Sequence, residues 1–135
     1  MGEKPPVIAV INSSPDVIDM LRVWFERAGL IVVAAYTWDI RDGKIDIEAF
    51  LRQHRPAVIV YDIAPPYQAN WRFLQHFQQM PDVKGCAFVL TTTNVARLRE
   101  LVQTHEAVYE IVEKPYDLQA LLDAVHVALD TAGQT

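Results

Sequence analysis

A chain of 135 residues that is 51% hydrophobic and 21% charged suits one soluble globular domain, long enough to bury a core without disulfides or metal. The formal net charge is −5, with Lys and Arg scattered along the chain, which argues against nonspecific nucleic-acid binding. The longest apolar run, Leu30 to Tyr36, is far too short to span a bilayer, so neither nucleic acid nor membrane is expected as a direct partner.

Cys86 is the single cysteine. It excludes an internal disulfide and, lying in an apolar run, reads as a buried thiol in a reducing compartment, with no catalytic role. No basic-then-apolar leader precedes Val7. Met1-Gly2 invites a myristoylation reading, but Pro6 stands where Ser or Thr is wanted. The expectation is a cytoplasmic protein.

Strand and helix patterns alternate along the chain. Val7 to Ile11 is apolar and rich in β-branched residues, a buried first strand that breaks at Asn12-Ser13-Ser14-Pro15-Asp16. Ser14 as N-cap, Pro15 at the first helical position and Asp16 in the first turn start a helix. Ile18, Leu21, Phe25 and Ala28 then recur at spacings of three and four, and Gly29 closes the helix.

Leu30 to Tyr36 predicts a second strand. Trp38 to Lys44 is polar, carries Asp42-Gly43 and reads as a turn or loop. Asp46 caps a short helix with Ile47, Phe50 and Leu51, which ends before Pro56. Ala57 to Asp62, an apolar run closing on a carboxylate, is a third strand buried on both faces. The Pro65-Pro66 break precedes a third helix with Trp71, Leu74 and Phe77, ended by Pro81.

Cys86 to Thr91 gives a fourth strand, and Val95, Leu98, Leu101 and Val102 a fourth helix after Asn94. Val108 to Val112 is a fifth strand, followed by Lys114-Pro115. Asp117 then caps a fifth helix with Leu118, Leu121, Leu122, Val125 and Leu129.

Such alternation implies right-handed βαβ crossovers, hence an α/β, doubly wound, mostly parallel sheet of flavodoxin-like order 2-1-3-4-5 with helices on both faces. Ligands of such sheets bind beyond the carboxyl ends of the strands, here at strands 1 and 3. Asn12, Ser13, Asp62, Thr91 and Lys114 each lie at or just after a strand end, so the topology gathers them on one rim. A single domain spanning residues 1–135, with its core at about 6–130, accounts for the whole pattern.

Asp62 closing strand 3, Thr91 closing strand 4 and Lys114-Pro115-Tyr116 after strand 5 resemble the receiver domain of two-component response regulators. Ser14-Pro15-Asp16 and the Ala28-Gly29 exit also look like that family, and the resemblance runs from about Pro6 to Leu129. It implies that Asp62 is the phosphoacceptor for a histidine kinase, that Thr91 and Lys114 contact the phosphoryl group, and that the Lys114-Pro115 bond is cis. It also implies protein partners, a histidine kinase or a downstream signalling protein, and a homodimer through the fourth helix, fifth strand and fifth helix. With nothing long enough after Leu129 for an output domain, output is expected through a partner.

The departures are specific. The acidic pair that holds Mg²⁺ in the family maps onto Asn12 and Ser13, and the aromatic switch residue onto Ile111. The loop from Ile63 to Asn70 lacks the family's Pro and Gly pattern. Mg²⁺ takes near-octahedral oxygen ligands and is held by carboxylates plus phosphate. Asp62, Asn12 and the Ala64 carbonyl are what this chain could offer it, so weak Mg²⁺ binding and slow phosphotransfer are expected. Lys114 is expected to pair directly with Asp62, and an aliphatic Ile111 cannot act as a rotamer switch.

The sequence thus reads as an atypical receiver-like domain that acts by protein–protein interaction and is not an enzyme. Two alternatives stay open: a conventional receiver phosphorylated on Asp62, and a flavodoxin-like protein that binds FMN or phosphate through Ser13 and Ser14. The latter lacks the glycine that close approach to a phosphate wants. His54, His76, His105 and His126 have no zinc-ligand spacing. The first helix carries Ile18, Met20, Leu21, Val23, Trp24 and Phe25, a wider apolar face than one buried stripe requires, and its outer part is a candidate partner surface.

Overall fold

A computed structural model describes residues 5–83, 85–102, 110–113 and 117–133. The strands are β1 (Val7–Asn12), β2 (Ile31–Tyr36), β3 (Val58–Asp62), β4 (Ala87–Thr92) and β5 (Glu110–Glu113). They form one parallel sheet in the order β2-β1-β3-β4-β5, as the alternating pattern predicts. The helices are α1 (Pro15–Arg27), α2 (Thr37–Arg41), α3 (Ile47–His54), α4 (Tyr67–Gln78), α5 (Val95–Val102) and α6 (Leu118–Gly133), with a 3₁₀ turn at Pro81–Val83.

Successive strand residues point to opposite faces, and the two cores divide accordingly. Ile8, Val10, Val58, Val60 and Val89 pack under α1 and α6 with Ile18, Leu21, Phe25, Leu121 and Val125. Ala9, Ile11, Ile59, Tyr61, Phe88 and Leu90 face the opposite helices with Leu51, Trp71, Leu74, Phe77 and Leu98. Complete burial of a side chain such as Phe25 or Leu74 contributes roughly 1.5–3 kcal/mol. These cores hold the strand ends in fixed register.

The local signals act as their chemistry dictates. Ser14 Oγ accepts the Val17 N–H at 3.3 Å, with Pro15 next to it in the first turn of α1, a cap worth about 1 kcal/mol. Gly29 takes φ +86 after the helix, a backbone conformation that disfavours any Cβ. Asp46 Oδ1 accepts from Glu48 and Ala49, and Asp117 Oδ1 from Gln119 and Ala120.

Three expectations are corrected. The stretch from Trp38 to Lys44, read as turn or loop, begins inside the one-turn helix α2; its Asp42 N–H bonds the Trp38 carbonyl at 2.8 Å, and Asp42-Gly43 then makes the turn. Five residues are too few to show a helical period, and Ile40 anchors the turn on the second core. The segment Ile63–Asn70 is only half loop, because α4 begins at Tyr67 and buries Asn70. Cys86 is half-buried rather than buried, immediately before β4, with its Sγ 3.2 Å from the Pro56 carbonyl it donates to. Burial pushes its thiol up from the ordinary cysteine range.

Candidate functional site

Asp62 ends β3 beside Thr91 of β4, and the two are register partners. That pairing places the Thr91 hydroxyl 2.8 Å from Asp62 Oδ1, to which it donates. Thr91 is fully buried and Asp62 is 8% exposed. A hydrogen bond to a carboxylate in such surroundings is worth more than a neutral one. The Ile63 N–H bonds the Thr91 carbonyl at 2.8 Å, extending the β3–β4 ladder one residue past the carboxylate.

Asn12 ends the neighbouring β1, 3% exposed. Its Oδ1 accepts the Ser14 N–H at 2.9 Å, so the side chain closes the turn into α1. On the other side of Asp62, the Ala64 carbonyl accepts a short hydrogen bond from the Asn70 carboxamide. The Asn12 and Ala64 oxygens beside Asp62 thus each already accept one hydrogen bond from the protein. Among the described residues no three His, Cys, Asp or Glu side chains come together as a metal site. The residues present fit Mg²⁺ poorly because, among the described rim residues, Asp62 is the one carboxylate and the oxygens beside it are neutral.

The turn after β4 repeats the device used after β1. Thr92 Oγ1 accepts the Asn94 N–H at 3.2 Å, and Asn94 Oδ1 accepts the Arg97 N–H at 3.0 Å. The Tyr67 hydroxyl of α4 lies 2.9 Å from Thr93 Oγ1, tying the loop after β3 to the loop after β4 across the rim.

A cleft of about 170 Å³ opens beside Asp62, lined by Ser13, Thr37, Trp38, Arg41, Ala64, Pro65 and Asn70 as well. The one-turn helix α2 supplies its cation: the Arg41 guanidinium lies 5.4 Å from the centroid of the Phe73 ring. Trp38 is stacked on Tyr36 with ring centroids 4.8 Å apart and planes 5° from parallel. Under the rim, the buried Tyr61 hydroxyl has no hydrogen-bond partner. Burial holds its phenol well above the usual tyrosine range, the Arg41 charge opposes the rise, and the neighbouring Asp62 adds to it.

No family model matches the chain, and no curated protein matches its sequence. Solved structures do match. The chemotaxis response regulator CheY4 of Vibrio cholerae is 20% identical, with 93% of this chain and 99% of that one covered at a TM-score of 0.71. A response regulator receiver protein from Pseudomonas putida is 16% identical over 93% and 99%, TM-score 0.70. A response regulator receiver modulated diguanylate cyclase from Pelobacter carbinolicus is 13% identical over 96% of each chain, TM-score 0.69. The chain has the receiver fold.

Within the receiver fold, the structure brings Asn12, Ser13, Asp62 and Thr91 to one rim, as the strand-end argument predicts, with Ala64 beside them. Ile111 lies on β5 opposite Leu90 and packs, half-buried, against the second core. Lys114 and the Lys114-Pro115 bond lie outside the described residues, as do Tyr116 and His105. Among the described X-Pro bonds, Pro65-Pro66 is cis.

Sequence reasoning missed Arg41, Thr37 and Asn70 as site residues. The general placement of ligands beyond strand ends applies to β2 as much as to β1 and β3, and would have drawn attention to Thr37 and Trp38. Asn70 carried no such signal, because its role depends on α4 starting at Tyr67 and turning the carboxamide back to Ala64.

Proposed function

We propose that this protein is a single receiver-like signalling domain that works by binding other proteins, with a rim that has lost metal-dependent phosphorylation as its control. One observation supports this reading above the rest. Asn12 and Ser13 bring no carboxylate to the rim beside Asp62, and the Asn12 and Ala64 oxygens already accept hydrogen bonds from Ser14 and Asn70. Asp62 retains its hydroxyl neighbour Thr91, the inherited half of a phosphorylation site.

The partners are a histidine kinase or a downstream signalling protein. Met20 and Val23 on α1, 37% and 52% exposed, offer apolar contact area of the kind partner surfaces use. A phosphate-binding role for the loop after β1 is disfavoured, because the Ser14 and Val17 N–H groups already bond Asn12 and Ser14.

The test is intact mass after incubation with Mg²⁺ and a small phosphodonor such as acetyl phosphate, for wild type and Asp62→Asn. The expected result is no phosphoryl adduct on either protein. Robust modification of wild type alone would establish a working phosphoacceptor and overturn the reading.

A further inference from the structure

We propose that the cleft beside Asp62 binds a small planar organic anion, a single aromatic ring carrying one carboxylate, in place of a metal-bound phosphoryl group. This rests on the reading that the rim no longer runs metal-dependent phosphotransfer. Size comes first: the cleft is about 170 Å³, and a cavity of about 150 Å³ lined by apolar side chains takes up benzene.

The lining supplies each part of the ligand with a counterpart. Arg41 has no carboxylate partner among the described residues; its guanidinium rests near Phe73 and borders the cleft. A planar guanidinium is suited to grip a carboxylate with parallel hydrogen bonds. Trp38, 42% exposed, stacked on the parallel Tyr36 ring and lining the cleft, supplies an aromatic surface for the ligand's ring. Ser13 and Thr37 add hydroxyl donors at the same cleft.

Charge explains why an anion is tolerated here. A rim with an acidic pair beside Asp62 would repel it, whereas Asn12 and Ser13 bring no charge. The same replacements that weaken a cation site therefore favour an anion one. Asp62 remains the one repulsive group, with Thr91 donating to it.

Benzoate and its neutral analogue benzamide are the probes, titrated without Mg²⁺ or phosphodonor into isotope-labelled full chain. Binding is read from the NMR signals of the Trp38 indole N–H, assigned with Trp38→Phe, and of the Asn70 carboxamide. Benzoate should saturate at low-millimolar concentration or below, with benzamide at least about tenfold weaker. Arg41→Gln, at an exposed position, should weaken benzoate at least about tenfold. Asp62→Asn should bind benzoate as well as wild type or more tightly, because a like charge is removed. Equal binding of the two probes, indifference to Arg41→Gln, or a requirement for Mg²⁺ would each overturn the proposal. Absence of benzoate binding in a chain that also resists phosphorylation refutes the ligand alone; a phosphoryl adduct on Asp62 refutes the functional reading beneath it.

Discussion

Restoring the acidic pair is the sharpest perturbation of this rim. Asn12→Asp combined with Ser13→Asp returns two carboxylates to the end of β1. Ile11 and Tyr61 are register partners across β1 and β3, so residues 12 and 62 follow on strands spaced ~4.8 Å apart. At an effective dielectric of about 20, two carboxylates ~5 Å apart repel by about 3 kcal/mol gross. Each attracts a divalent ion at ~4 Å by about 8 kcal/mol gross before desolvation. The turn itself should survive, because a carboxylate oxygen can still accept the Ser14 N–H that Asn12 Oδ1 accepts now. The double variant should be less stable than wild type in EDTA and regain stability with Mg²⁺. A dissociation constant a hundredfold below the Mg²⁺ concentration used corresponds to a gain of about 2.7 kcal/mol. Urea unfolding at neutral pH, with Mg²⁺ or EDTA, measures both effects at once. Wild type should be indifferent to the metal. If wild type gains as much from Mg²⁺ as the variant, the account of Asn12 and Ser13 as a lost metal site is wrong.

Three further perturbations probe the neighbouring contacts. Thr91→Val removes the buried donor to Asp62 while nearly keeping shape, and should destabilise by roughly 1.5–3 kcal/mol; a double-mutant cycle with Asp62→Asn should show a smaller cost in the neutral background. Tyr61→Phe deletes a buried hydroxyl without a partner, so urea unfolding at neutral pH should find it as stable as wild type or up to about 1 kcal/mol more stable. Because the folded phenol titrates above its ordinary value of 10.0, Tyr61 contributes fully below that pH and its contribution is lost as pH rises above it. Alkaline unfolding followed by circular dichroism should accordingly begin later in Tyr61→Phe. Asn70→Leu removes the donor to the Ala64 carbonyl and should cost about 1–2 kcal/mol, read as a lowered urea midpoint at unchanged slope.

The sheet was legible because its signals are redundant. The strands β1 to β4 are short and mostly apolar runs, and β1 and β3 end on Asn12 and Asp62, residue types depleted in strands. Ser14, Asp46 and Asp117 announce helix starts by side-chain chemistry that operates in isolation from the rest of the fold. From there, parallel topology alone brings Asp62 and Thr91 together although they lie far apart in the chain. The one-turn helix α2 was not legible for the opposite reason. Five residues make little more than one turn, and much of what holds Thr37–Arg41 in place is tertiary: Ile40 on the second core and Arg41 over Phe73.

That missed turn changes how the rim is understood. Read from strand ends alone, the rim is an acidic site minus two carboxylates, defined by what Asn12 and Ser13 fail to provide. With α2 in place, Arg41 and Trp38 also line the cleft beside Asp62. The side chains of Asn12 and Asn70 point their hydrogen bonds inward, to Ser14 and Ala64, so the rim is stable without any ion to satisfy it. The Asn12 and Ala64 oxygens thus each have a partner within the protein, as buried polar groups require, and what distinguishes the rim is the cleft that α2 closes beside Asp62.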